Sequence, residues 1–323
     1  MARKRSRRAT RWSTRLLDAL LAVLVAPAAL LLKSVRRMGL HRLVLCRRVL
    51  LGIGVLPVRR HYYEPLTDRR YLRHALEDER PLPGIDWNEG GQLAALAALR
   101  FEGELEPLLA RARQDPAGFR MDNGQFEAGD AEFLYQIIRA RKPAAVVEIG
   151  SGHSSLLAQQ ALLRNAAEGA PGRQVCIEPY RAPWLERAGI TTVRKKVEEV
   201  DRALFRELGE GDLLFIDSSH VIRPQGDVLA EYLEILPSLA AGVIVHVHDI
   251  FSPRDYPRGW VLGELKLWNE QYLLEAFLAH NRAWKIVGAL NFLKHRHYEA
   301  LARVCPYLSP EREPGSFYIE KIE

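Results

Sequence analysis

Cysteine is scarce in this chain: three in 323 residues, Cys46, Cys176 and Cys305, odd in number and far apart. There is no C-x-x-C pair and no Cys/His spacing of zinc type, which argues against a disulfide framework or a zinc module and for a reducing, cytoplasmic setting. Cys176 reads as a small core residue in a strand. Acid is nearly missing from the first sixty residues, where fifteen Lys or Arg face Asp18 alone, a segment charge of +14. The whole chain carries +6, so the remaining 263 residues sum to −8. An acidic body with a basic arm argues against a broad phosphate-binding face, and no nucleic-acid partner is expected. No internal repeat is evident. At 48% apolar residues the chain is long enough for one large α/β domain plus an appendage, or two modest domains, and disorder throughout is excluded.

The basic arm frames an apolar run. Residues 16–32 are apolar except for Asp18 and are interrupted by Pro27, at the lower limit for a helical span. A signal peptide also begins basic and then apolar, but Lys33, Arg36 and Arg37 stand where a small-residue cleavage site belongs. Basic flanks on both sides give no clean orientation, and a second apolar stretch, 43–57, is broken by Arg47 and Arg48. The pattern suits a transmembrane helix, or a helix in the interface with its cations on anionic head groups and its leucines below them. Residues 1–60 are therefore expected to associate with a membrane surface, with the catalytic domain cytoplasmic. The plainer alternative is an amphipathic helix pair packed on the domain. Residues 61–130 read as a small helical cap, with a junction at 59–65, a loop at 81–84 and helical apolar spacing over 91–113.

From position 131 to the end, short β-branched runs alternate with helical patterns, the signature of a parallel sheet with crossover helices. The expected fold class is α/β: a Rossmann-like, doubly wound, mostly parallel seven-stranded sheet with an N-terminal helical extension. Strands are expected at 144–149, 174–177, 191–194, 213–216, 242–248, 284–287 and 316–320, with helices starting near Ser154, Pro183, Val197, Pro224 and Asn269.

The most informative segment is Val146-Val-Glu-Ile-Gly-Ser-Gly-His-Ser-Ser155. A strand runs into Gly150-Ser-Gly152 and then into a helix, so that backbone amides can approach a nucleotide-like ligand at the positive helix end. A dinucleotide fingerprint wants Gly or Ala where this chain has Ser155, and Glu148 would repel a pyrophosphate. Glu178 closes the second strand, in the position where a carboxylate bonds ribose hydroxyls. Asp217 and His220, in Asp212-Leu-Leu-Phe-Ile-Asp-Ser-Ser-His220, and Asp249, in Val245-His-Val-His-Asp249, are expected to converge at the carboxyl edge of the sheet, where open α/β folds keep their ligands.

These motifs resemble those of the class I S-adenosylmethionine-dependent methyltransferases, in the small-molecule O-methyltransferase-like branch that includes macrocin and catechol methyltransferases and cephalosporin-hydroxylase relatives. The resemblance covers roughly residues 120–321. It implies S-adenosyl-L-methionine as cofactor, held by Glu148, Gly150, Ser151, Gly152, Ser154, Glu178 and Asp217, with the methionine part on the glycine loop and the ribose on Glu178. It also implies a choice of chemistry. Some relatives hold a divalent cation on strand-end carboxylates, which here makes Asp217 and Asp249 ligands for Mg²⁺. The sequence departs from the Asp-Asn pair of the catechol type, because Ile250 follows Asp249. In the competing mechanism His220 or His248 is the general base, with Asp217 and Asp249 beside it. His246 and His248 alternate on one strand and so share a face.

Residues 251–260 read as a lid over the acceptor or as ordinary packing, 268–280 as an amphipathic helix, and the turn Asp122 to Phe126 with Asp130 as closing the cofactor site or simply packed. The acceptor is expected to be a small molecule or a lipid-linked or envelope glycoside. Two other functions stay open: a nicotinamide-dependent oxidoreductase, disfavoured by Ser155 and Glu148, and a membrane-tethered binding module without catalysis.

Overall fold

The structure is a computed structural model that describes residues 2–112 and 118–323, with side chains described from Thr14 onward except at 111 and 112. The chain divides into two compact units, Met1–Arg73 and His74–Glu323.

In the first unit, α1 runs from Ala2 to Met38 and contains Pro27. Its segment Thr14–Met38, 25 residues with a mean hydropathy of 2.2 in its most apolar window, is long and apolar enough to cross a membrane. Leu16, Leu20, Leu24 and Leu31 are all exposed. Helix α2, Val44–Ile53, stops at Gly54, which takes the left-handed conformation (φ 82°) that a side chain resists. Glu64 accepts two bonds of 2.8 Å from the Arg36 guanidinium and one of 3.4 Å from Arg59.

The second unit opens with α3 (Glu89–Ala98) and α4 (Leu105–Ala112). Helical apolar spacing was read over 91–113, and the chain forms two helices there. A continuous helix would bury Pro107 in its interior, where the ring clashes with the preceding turn and a hydrogen bond is lost. Breaking after Ala98 puts Pro107 in the first turn of α4, where the missing N–H costs nothing. Position 113 lies outside the described residues. Helix α5 (Asp130–Arg141) is buried from Asp130 to Arg139 and packs on α6 (His153–Ala167).

Seven strands follow: β1 (Ala145–Ile149), β2 (Arg173–Ile177), β3 (Thr191–Val193), β4 (Leu213–Ile216), β5 (Ile244–Val247), β6 (Trp284–Ala289) and β7 (Phe317–Lys321). They form one sheet in the order β3-β2-β1-β4-β5-β7-β6. All pairs are parallel except those of β7, which is antiparallel to both β5 and β6. The crossovers use α6, α7 (Pro183–Arg187), α8 (Ala203–Arg206), α9 (Asp227–Ala230) with a π-helical turn into α10 (Leu236–Ser238), and α11 (Glu270–Leu278). Helices α12 (Leu290–Arg296) and α13 (Tyr298–Val304) connect β6 to β7.

Covered on both faces, β1, β4 and β5 are buried throughout, which is why they read as near-continuous apolar runs rather than alternating ones. The chain order reverses between β1 and β4, and ligands of such sheets bind in the crevice beyond the strand ends at that switch point.

Candidate active site

The site starts at the turn after β1. The Gly150 N–H bonds the Ile177 carbonyl at 3.0 Å and the Asp217 N–H bonds the Ile149 carbonyl at 2.9 Å, which ties the ends of β1, β2 and β4 together. Gly150 has φ +88°, and a Cβ there would fall 2.1 Å from the Asp217 carbonyl oxygen. Only glycine fits. Gly152 precedes the first turn of α6, and its N–H bonds Ser155 Oγ at 3.2 Å. The side chain that departs from the dinucleotide fingerprint is thus spent on holding the glycine loop. Ser154, in the same turn, is buried.

Ser151 Oγ donates to Glu178 Oε2 at 2.8 Å, and the Tyr180 N–H donates to Oε1 at 2.9 Å. Glu178 is half-buried, so its carboxylate stands at the loop with acceptor capacity left over. Glu148 is placed differently. It is 1% exposed and accepts from Cys176 Sγ at 2.9 Å and Gln174 Nε2 at 3.2 Å. Burial pushes its carboxyl above the ordinary range. It props the loop from beneath and does not join Ser151 and Glu178 at the opening. A cavity of about 1330 Å³ borders the loop at Ser151, Gly152 and His153 and continues along the outer side of α6 past Phe119 and Trp184.

Asp217, His220, His248 and Asp249 form a second cluster just past the ends of β4 and β5. His220 Nε2 lies 3.3 Å from Asp217 Oδ1 and 3.6 Å from Asp249 Oδ2, and its Nδ1 is 2.7 Å from Glu270 Oε2. His248 Nδ1 lies 3.7 Å from Asp217 Oδ1 and 3.7 Å from Asp249 Oδ1, and its Nε2 is 3.8 Å from Asp130 Oδ2. His220 (φ 58°) and Asp249 (φ 59°) both adopt the left-handed backbone that residues with a Cβ rarely take, a strain that tends to gather at functional sites.

Carboxylates on both sides decide the charges. Burial disfavours a charged His220, but Asp217 and Glu270 overcome it and push its pKa up to about 10. His248 is raised in the same way, against burial, by Asp249 and Asp217. Asp217 is held well below its usual range despite burial, by His248 and His220. Burial, reinforced by Asp217, lifts Asp249 above its usual range. His246 sits on the same face but is fully buried, stacked on Tyr318 at 4.1 Å between ring centroids, and burial keeps it neutral. Both ring nitrogens of His220 face carboxylates, so the arrangement gives it the part of a fixed cation.

Asp217, His220, His248 and Asp249 are thus brought together, as are Gly150, Ser151, Gly152 and Glu178. Sequence reading did not single out Glu270, which is fully buried and binds both His220 and the Tyr232 hydroxyl at 3.1 Å. It also missed Trp268, packed on His220 at 4.2 Å between centroids. Both stand just before or inside α11, and only the tertiary contact reveals them. Within residues 251–260, Phe251, Ser252 and Tyr256 are buried while Arg258 and Gly259 are exposed; Ser252 Oγ bonds Glu275 at 2.5 Å, and the Phe251 N–H bonds Gln271 at 2.7 Å. Asn123 organises the turn before α5 through bonds to the Gln125 and Phe126 N–H groups, at 2.9 and 2.8 Å. Phe126 packs on His248 at 5.1 Å between centroids.

Residues 147–250, which contain the glycine loop and both strand-end acids, match the family described as a methyltransferase domain. Over that segment the chain is similar to a methyltransferase domain. An uncharacterized protein of Archaeoglobus fulgidus is 28% identical over 163 residues, 46% of this chain and 72% of that protein. Among solved structures, the O-methyltransferase TomG of Streptomyces achromogenes, in complex with SAM, is 16% identical over 73% of this chain and 97% of its own, with a TM-score of 0.40. An O-methyltransferase of Bacillus cereus, in complex with SAH, is 12% identical over 73% and 98%, with a TM-score of 0.39. The seven-stranded, mostly parallel sheet is the expected Rossmann-like fold.

Proposed function

We propose that this methyltransferase transfers the sulfonium methyl of S-adenosylmethionine to a hydroxyl of a small-molecule or lipid-linked acceptor held over Asp217, His220 and Asp249, while residues 1–60 keep the protein on a membrane. The observation that carries this reading is the locked contact between Gly150 and Asp217. It puts the donor loop and the acid-imidazole cluster side by side at the switch point of the sheet. The Gly150–Gly152 loop and the first turn of α6, with Ser154, receive the methionine part of the donor, and Glu178 takes the ribose hydroxyls. Glu148 supports the loop through Gln174 and Cys176.

The donor is already activated, so the protein's task is to align the two reactants and manage one proton. Glu270 holds His220, and His220 holds the two strand-end carboxylates apart. Asp249 then accepts the hydroxyl proton. A metal-assisted variant has its own support, since Asp217, His248 and Asp249 place donor atoms within 4.8 Å of one another. Residues of this kind fit a divalent cation, with Asp217 and Asp249 supplying the oxygens. Such an ion would lower the pKa of the acceptor hydroxyl.

The test is transfer of a labelled methyl group from S-adenosylmethionine by the full chain in detergent, to a panel of hydroxylated acceptors that includes lipid-linked glycosides. Label in an acceptor, lost in Asp249→Asn, is the expected result. Label transfer unaffected by that substitution would remove Asp249 from the chemistry. Treatment with chelator and add-back of Mg²⁺ or Mn²⁺ separates the two variants, because full turnover without metal rejects the cation.

A further inference from the structure

We propose that His248 is a third ligand of the cation site and that Asp130 fixes its orientation, giving an Asp-His-Asp donor set that prefers Mn²⁺ or another transition ion to Mg²⁺. The inference rests on the reading of Asp217 and Asp249 as cation ligands. Its support lies in the imidazole. His248 is 5% exposed, and its Nδ1 is buried without a hydrogen-bond partner among the described residues. That atom points between two carboxylate oxygens, each 3.7 Å away.

At 3.7 Å the contact is too long for a hydrogen bond. Two donors about 2.1 Å from a shared ion lie about 3.0 Å apart when adjacent and about 4.2 Å apart when opposite, and the observed separations fall between these. The neighbouring position offers no substitute side-chain ligand, since Ile250 is a hydrocarbon without a donor atom. The other ring nitrogen faces Asp130. This first residue of α5 is 2% exposed, and its Oδ1 is occupied by the N–H groups of Gly315 and Ser316 at 2.9 and 2.8 Å. Its Oδ2 is left to face His248 Nε2 at 3.8 Å, while Phe126 packs against the ring.

A carboxylate behind a ligating imidazole fixes the tautomer and the ring plane, and losing it typically costs about 10- to 100-fold in metal affinity. The donor set also decides the ion. Mg²⁺ takes oxygens and retains several waters, whereas an imidazole favours first-row transition ions.

The experiment uses the full chain in detergent, stripped of metal and titrated with Mn²⁺ alone and in competition with Mg²⁺. Loss of the free Mn²⁺ signal in electron paramagnetic resonance reads affinity. Electron spin echo modulation of the bound ion reads nitrogen coordination without any variant. The expected results are a directly coordinated imidazole nitrogen in the wild type, kept in His220→Asn and lost in His248→Gln, and a Mn²⁺-over-Mg²⁺ preference that falls at least about tenfold in His248→Gln. Asp130→Asn should weaken Mn²⁺ by about 10- to 100-fold while affinity for S-adenosylhomocysteine and the melting temperature stay as in the wild type. Nitrogen coupling that is absent, or that survives His248→Gln, overturns the assignment of His248. Unchanged Mn²⁺ affinity in Asp130→Asn overturns the role of Asp130. A wild type that binds neither ion sinks the underlying cation reading, a distinct outcome.

Discussion

At the scale of single residues, the tightest constraint is Gly150. Its left-handed φ and the Asp217 carbonyl 2.1 Å from any added Cβ leave no room for relaxation, because both groups are backbone. Gly150→Ala is expected to lower folding stability by at least about 2 kcal/mol, read as a shift of the urea midpoint. An unshifted midpoint would mean that the turn can rearrange. Residues of this kind were legible in the sequence because their meaning is local: a strand, two glycines and a helix start within ten positions, and Glu178 ends the next strand. Glu270 and Asp130 were not legible in their roles. Each reaches its imidazole from a distant part of the chain, and nothing in the neighbourhood of either position announces a buried carboxylate. The imidazoles were legible as candidates but not in charge, since the charge is set by carboxylates from four separate segments.

Among the elements, the strands were read to within two residues at either end, because β-branched runs buried on both faces leave a plain signal. The helical spacing ahead of them belongs to two helices. Apolar periodicity continues across 91–113, but Pro107 forces the break between α3 and α4. Helix α5 carries a testable consequence of its own. Glu132, in its first turn, accepts the N–H groups of Gly129 and Tyr307 at 2.8 and 2.7 Å. Burial outweighs both bonds and raises its pKa from 4.5 to about 7. Between those values the native state holds a proton that the unfolded chain has lost, so stability must fall as pH rises through this window. The slope approaches about 1.4 kcal/mol per pH unit where the one-proton difference is complete. Glu132→Gln should flatten that part of the stability profile in denaturant melts at stepped pH. An unchanged slope would show that Glu132 is ionised in the native protein across the window.

For the whole molecule, the charge division of the sequence matches the division of the structure into two units. The basic arm lies in the unit that carries α1, and the other unit carries the seven-stranded sheet. Exposed leucines along Thr14–Met38, bounded by Arg15 on one side and Arg36 and Arg37 on the other, support our proposal of a membrane address. Full-length protein is expected to float with vesicles containing anionic lipid and to resist alkaline carbonate if α1 spans the bilayer. A charge near the centre of a span costs about 2.5–3.5 kcal/mol. Leu20→Glu with Leu24→Glu should therefore release the protein into the carbonate supernatant. Release of the unaltered chain, with flotation retained, would instead place α1 in the interface.

The account turns on a cleft in which the Gly150 loop and Glu178 hold the donor, and calorimetric titration of the full chain tests it most directly, with S-adenosylmethionine, S-adenosylhomocysteine and NAD⁺ side by side for wild type and Glu178→Ala. The expected result is that both sulfur nucleosides bind, NAD⁺ does not, and the substitution weakens binding by about 1–3 kcal/mol through lost hydrogen bonds to the ribose. Binding of NAD⁺ in place of the sulfur nucleosides, or donor affinity untouched by Glu178→Ala, would contradict it.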